Sequence, residues 1–261
     1  MAMLAGRTAL VTGSSRGIGR SVAERLARDG ALVAVHYGHH PEAAARTVAG
    51  IEQAGGQAFE VGADLAEPDG VDRLLAGLRA GLRARTGRER LDVLVNNAGF
   101  STTFFEATTP EVFDDLFAVN ARAPFFVVQR ALPLMGPGGR IVSISSTAAR
   151  VAVADVAYAM AKAALNTMGR TLAHLLGEQG ITVNTVAPGA VDTDLTAEER
   201  RSQPEMRQMM IDMTALGRIG TPPDVADVVA FLASDDARWI TGQVLEVSGG
   251  LFLGLPPGMT H

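Results

Sequence analysis

The sequence predicts an α/β fold: a doubly wound parallel sheet of about seven strands with helices on both faces, forming a single domain over residues 1–261. Three observations predict it. Short apolar runs such as Thr8–Thr12, Ala31–His36 and Leu91–Val95 alternate with stretches of helical period, as buried parallel strands alternate with the helices that cover them. A glycine turn, Gly13-Ser-Ser-Arg-Gly17-Ile-Gly19, links the first run to the first helical stretch. A length of 261 residues, with 47% hydrophobic and 20% charged residues, suits one well-filled domain.

Composition removes several function classes. A net charge of −5 gives no electrostatic reason to bind nucleic acid. The absence of cysteine excludes disulfides, thiolate nucleophiles and zinc-thiolate sites, and no metal is expected. No apolar run reaches membrane-spanning length. The N-terminus runs directly into the first strand, leaving no room for a signal peptide, so a cytoplasmic location is the expectation.

In order, Thr8–Thr12 is the first strand and the glycine turn follows it. The next helix carries Ile18, Val22, Leu26 and Ala27 on one side and ends at Gly30. Strand, glycine turn and helix together form a phosphate site, because glycines admit the anion to the backbone and the helix N-terminus supplies free amides. The second strand, Ala31–His36, ends at Tyr37-Gly-His39-His40 without the acid that usually holds the ribose 2′-hydroxyl of NAD, which leans the reading towards NADP(H), with NAD(H) as the alternative. Arg16 supplies a positive group there or is a solvated turn residue, and His39 and His40 are read first as solvated residues at the strand end.

Pro41–Ala54 reads as a helix and Gln57–Val61 as the third strand, after which Asp64 either accepts from an adenine amine or caps the helix over about residues 68–85. The fourth strand, Leu91–Val95, ends in Asn96-Asn97-Ala98-Gly99, whose amides can fix backbone around a ligand. A helical stretch from Pro110 to about Met135 contains Asn120 and Pro124, and the proline predicts a break just after Asn120, leaving that residue facing internal water. The fifth strand runs from Gly139 to Ser145 and Ser146, at the carboxyl edge where open α/β sheets bind ligands.

Tyr158 and Lys162 follow, four apart on one helix face. A phenol ionises near pH 10, and a fixed ammonium beside it lowers the cost of phenolate, so the pair can move a proton. Ile181–Val186 and Gly242–Val247 are the sixth and seventh strands, with a helix over Asp224–Leu232 between them.

In this order, Thr12-Gly-Ser-Ser-Arg-Gly17-Ile-Gly19, Asp64, Asn96-Asn-Ala-Gly99, Asn120, Ile144-Ser-Ser146, Tyr158-x-x-x-Lys162 and Pro188-Gly-x-Val-x-Thr193 resemble the motifs of the short-chain dehydrogenase/reductase family. The likeness runs from about Arg7 to Gly250, with 3-oxoacyl-carrier-protein reductases and related ketoreductases as the nearest subgroup. It implies a Rossmann-like domain and an NADPH-dependent oxidoreductase transferring hydride between nicotinamide C4 and a ketone or β-ketoacyl carbonyl. Alternatives are an NAD-dependent secondary-alcohol dehydrogenase and a non-catalytic NADP(H) sensor.

The resemblance puts the catalytic tetrad on Asn120, Ser146, Tyr158 and Lys162. Ser145 is the alternative serine, because it stands thirteen positions before Tyr158 as is common in the family. Tyr158 would pass the proton, Ser146 would polarise the oxygen, Lys162 would hold the nicotinamide ribose and lower the phenol's pKa, and Asn120 would hold a water leading to solvent. Cofactor contacts fall on Gly13, Ser15, Arg16, Gly17, Ile18, Gly19, Tyr37, Asp64, Leu65, Asn97, Ala98, Gly99, Tyr158, Lys162, Pro188, Gly189, Val191 and Thr193. The family likeness further implies a substrate lid over about residues 190–216, rich in methionine, and a homotetramer or homodimer on which the apolar tail from Leu251 to Met259 would dock.

Overall fold

The structure is a computed structural model that describes residues 3–101, 104–193 and 204–254. Its seven strands are β1 (Thr8–Val11), β2 (Leu32–Tyr37), β3 (Gln57–Gly62), β4 (Val93–Asn96), β5 (Arg140–Ile144), β6 (Thr182–Pro188) and β7 (Val244–Val247). They form one sheet in the order β3-β2-β1-β4-β5-β6-β7, every pair parallel. Helices α1 (Gly17–Arg28), α2 (Pro41–Gln53), α3 (Gly70–Thr86), α4 (Pro110–Phe117), α5 (Ala123–Ala131), α6 (Val156–Leu176), α7 (Pro204–Asp212) and α8 (Pro222–Ala233) are the α-helices among the described residues.

Strand alternation distributes the core. In β1, Ala9 and Val11 face one side while Leu10 faces the other; in β2, Val33 and Val35 oppose Leu32 and Ala34. One face is sealed by Val22 and Leu26 of α1, Ile51 of α2 and Val225 and Val229 of α8. The other is sealed by Leu74, Leu78 and Leu82 of α3, Val127 of α5 and Leu176 of α6. Both sheet faces are therefore dry, which explains strands that are apolar throughout.

The chain order reverses between β1 and β4, so the connections leaving their carboxyl ends diverge and open a crevice, the usual ligand position in such sheets. β1 stops before Thr12 because that hydroxyl turns to accept from the amides of Asn97 (2.9 Å) and Ala98 (3.0 Å), tying the glycine turn to the end of β4. The helical stretch over residues 110–135 is interrupted where Pro124 requires. The interruption is a π-helical turn, Ala118–Arg122, with Asn120 inside it and helix resuming at Ala123. Pro124 has no N–H to offer the carbonyl four residues back, so the wider turn absorbs the defect before the proline instead of after it.

Candidate active site

At the crevice the glycines are there for space. Gly13 lies at φ 62°, and a Cβ on it would stand 2.8 Å from Ala98 Cα. A Cβ on Gly19 would collide with the Gly13 carbonyl and the Asn97 amide. Asn97 Nδ2 donates to the carbonyls of Thr12 (2.9 Å) and Gly13 (3.0 Å), locking turn and helix together. The first turn of α1 carries no acidic residue, and Arg16 at its N-cap makes no side-chain cap bond. Free amides, the positive end of the helix dipole and a side-chain-free approach suit the pyrophosphate of a dinucleotide.

A cavity of about 820 Å³ extends from this turn along the carboxyl edge. Its walls include Gly13, Ser15, Arg16, Gly17, Ile18 and Gly19 from the turn and Asp64 and Leu65 after β3. Asn97, Ala98 and Gly99 after β4 and Pro188, Gly189, Val191 and Thr193 after β6 also line it. Tyr37 departs from expectation, because it packs against the core on the face of Val33 and Val35 and does not line the cavity. His36, one position earlier and so on the opposite face, lines it instead, together with His39 and His40.

His36 is a site residue the sequence reading missed; the available signal was a polar side chain continuing the buried register of Leu32 and Ala34. Its Nδ1 accepts from the Gly13 amide and its Nε2 donates to the Ala63 carbonyl, both at 2.9 Å. Burial pushes its pKa down to about 4, against the raising effects of the Ala63 bond and of Asp64. Asp64 does not cap α3: its Oδ1 accepts from Ala66 N at 2.9 Å, and its Oδ2 is 3.3 Å from His39 Nε2.

Farther along, Tyr158 and Lys162 rise from the first turns of α6 into the same cavity. Asp155 caps that helix, its carboxylate accepting from the Tyr158 amide at 3.1 Å. Lys162 is buried, its Nζ donating to the Ile144 carbonyl at 2.9 Å and lying 5.5 Å from the centre of the Tyr158 ring. Burial brings the ammonium down to about pKa 8. The phenol is raised, contrary to the sequence expectation. Burial is the largest cause and the Asp155 charge adds to it, while a hydrogen bond with Ser146 works the other way.

The two serines divide by direction. Ser145 is buried and its hydroxyl donates to the Lys162 carbonyl at 3.0 Å, an anchor for the helix. Ser146 lines the cavity with Tyr158, where its hydroxyl works to lower the phenol's pKa, and its oxygen accepts from Ala148 N at 3.1 Å. Asn120 is fully buried, with its side-chain amide spent on both backbone groups of Phe100: Oδ1 accepts from N at 3.1 Å and Nδ2 donates to O at 2.8 Å. The side chain expected to face water is thus occupied, and a Cβ on Gly99 would strike its oxygen.

A dinucleotide cradle that ends at a phenol, a hydroxyl and a buried ammonium defines an oxidoreductase of the nicotinamide-nucleotide class. The family model described as enoyl-(acyl carrier protein) reductase matches residues 13–252. The chain belongs to this family of short-chain dehydrogenases/reductases and is an NAD(P)-dependent oxidoreductase. The crystal structure of the angucycline C-6 ketoreductase LanV with bound NADP superposes with a TM-score of 0.92 at 50% identity, covering 97% of this chain and 98% of that one. Versicolorin reductase 1 of Aspergillus parasiticus is 39% identical over 263 residues, 95% of this chain and 97% of its own length. Hydroxynaphthalene reductase arp2 of Aspergillus fumigatus is 38% identical over 252 residues, 92% of this chain and 90% of its own.

Proposed function

We propose that the protein is an NADPH-dependent ketoreductase acting on a fused-ring aromatic ketone. The observation that carries the reading is the meeting of Ser146, Tyr158 and Lys162 in the cavity that begins at the glycine turn. A bound NADPH supplies the hydride. Tyr158 gives its proton to the carbonyl oxygen as the hydride arrives, and takes one back when the reaction runs towards the ketone. Ser146 donates a hydrogen bond to the same oxygen as negative charge develops on it. Lys162 would hold the nicotinamide ribose and, once drawn from the Ile144 carbonyl, stabilise the phenolate left when Tyr158 gives up its proton. The backbone carbonyl of Asn120, to which Pro124 offers no donor, holds the water that leads from Lys162 to solvent.

Three features support NADPH and the aromatic substrate. Arg16, His39 and His40 border the cavity near the end of β2, a strand that itself ends without an acid. Phe100 lines the cavity, and Phe104 and Phe105 are 69% and 66% exposed on a loop whose Phe105 amide bonds Ala154, next to the cap of α6. The relatives include reductases named for angucycline, versicolorin and hydroxynaphthalene. Residues 190–216 form the substrate lid in this reading; positions 194–203 lie outside the described residues, while Met206 and Met209 are exposed on α7 and offer an adaptable apolar wall.

We also propose cytoplasmic assembly as a homotetramer, to which the exposed Phe125, Met160, Leu175 and Trp239 would contribute apolar contacts; Leu251 is buried, and residues 255–261 of the tail lie outside the described residues. No helix among the described residues is long and apolar enough to cross a membrane. Light scattering at micromolar concentration tests the assembly, and a monomer would count against it.

The function is tested by following NADPH and NADH consumption at pH 7 with a tetralone, a hydroxynaphthalenone and a β-ketoacyl thioester, with Tyr158→Phe alongside. Turnover of the bicyclic ketones with NADPH, lost in a variant that still binds nucleotide, is the expected result. Preference for NADH with alcohol oxidation would favour the secondary-alcohol dehydrogenase, and turnover of the thioester alone would move the substrate class to acyl carriers.

A further inference from the structure

We propose that His36 is a positioning residue of the nucleotide site, its two ring nitrogens fixing the glycine turn against the segment that follows β3. The proposal rests on the dinucleotide reading of the cavity. The backbone already brings the two segments together: Ser14 N donates to the His36 carbonyl at 2.8 Å, His36 N donates to Ser14 Oγ at 3.0 Å, and Ala63 N donates to the Tyr37 carbonyl at 3.0 Å. The imidazole adds the cross-brace. Nδ1 takes the Gly13 amide, and Nε2 reaches the Ala63 carbonyl on the other side.

Gly13 is thereby held by both of its backbone groups, with its N–H on His36 and its carbonyl on Asn97. That matters at a residue with φ 62°, from which the chain turns into the amides at the start of α1. A rotation there would swing the anion-binding amides as a group. Acceptance at Nδ1 and donation at Nε2 also select one neutral tautomer, and a second proton would set Nδ1–H against Gly13 N–H. The ring is 2% exposed, so water is in no position to replace either bond.

Three substitutions separate the two contacts. His36→Asn keeps an acceptor at the Nδ1 position and loses the reach to Ala63; His36→Gln keeps a donor near the Nε2 position and loses the Gly13 contact; His36→Leu loses both. NADPH dissociation constants are measured by calorimetry, kcat and KM for NADPH are measured at saturating ketone, and thermal midpoints are recorded for each variant. The expected result is affinity within about 3-fold of wild type for His36→Asn, a loss of about 10-fold or more for His36→Gln, and a larger loss for His36→Leu, as one lost buried hydrogen bond predicts. The effect should appear in KM for NADPH, with kcat at saturating nucleotide within about 2-fold.

If His36→Gln binds NADPH as tightly as His36→Asn, if the losses follow the thermal midpoints regardless of which contact is kept, or if kcat falls while KM holds, the proposal is overturned. Wild-type protein titrated with NADPH and NADH in the same series tests the dinucleotide site by itself. Binding of neither would defeat that reading separately from the role of His36.

Discussion

Replacing Lys162 with methionine is expected to stabilise the fold while abolishing turnover. The ammonium is buried with the Ile144 carbonyl as its hydrogen-bond acceptor, and its pKa is brought from 10.5 to about 8 by desolvation. In the unfolded chain the same group is hydrated and keeps its ordinary value. Between these two values the unfolded state binds more protons, so wild-type stability rises as pH climbs from about 8 to about 10.5. Below that window the full penalty applies, about 3 kcal/mol for this gap. Methionine preserves the apolar stem but leaves the Ile144 carbonyl without its donor, a cost of about 1 kcal/mol. The net expectation at pH 7 is a gain of about 2 kcal/mol, shrinking to under about 1 kcal/mol at pH 9.5 as the wild-type lysine discharges. Urea unfolding of both proteins at the two pH values, without nucleotide, measures the gap. A Lys162→Met protein no more stable than wild type at pH 7, or a gap that does not narrow at pH 9.5, would refute the reasoning.

Ser146→Ala is expected to lower kcat about 100-fold and, by removing the cap bond to Ala148 N, to cost about 1 kcal/mol of stability, whereas Ser145→Ala should lose about 1 kcal/mol of stability with kcat within about 10-fold. Steady-state kinetics with urea midpoints separate the two, and the reverse pattern would transfer the role to Ser145. Gly99→Ala places a methyl group on Asn120 Oδ1 and 3.1 Å from Lys162 Nζ, so a loss of about 2 kcal/mol and a drop in kcat of about 10-fold or more are expected; unchanged kinetics would mean that the π-helical turn yields freely. His36 titrates near 6.5 when unfolded and near 4 when folded, so the fold should lose about 3 kcal/mol as pH falls from about 6.5 through about 4, a loss that His36→Asn removes. Urea midpoints at pH 7.5, 6 and 5 check it, and parallel curves for wild type and variant would place the acid sensitivity elsewhere.

The alternating apolar runs and the glycine turn determine the sheet, its parallel sense and the crevice. Every strand expected from the sequence is present, with ends that move by at most two residues, as at Thr12, whose hydroxyl takes another partner. Spacing alone also puts Tyr158 and Lys162 on one helix face, and chain order puts them at the carboxyl edge of the sheet. Alternation could have distinguished Tyr37 from His36, because adjacent residues of a strand face opposite sides and only one of them can look into the cavity.

Only the tertiary structure decided how each polar group is spent. The direction of the Ser145 hydroxyl depends on the carbonyl of Lys162, seventeen residues later, and the Asn120 amide is committed to Phe100, twenty residues earlier. The charge balance at Tyr158 depends on the burial of the phenol and on the Asp155 charge, which together raise its pKa against the lowering effect of Ser146. Periodicity is a local property of the chain and survives in the sequence. Desolvation and hydrogen-bond partnership are set by residues far apart in sequence, and they exist only once the sheet has brought those residues together.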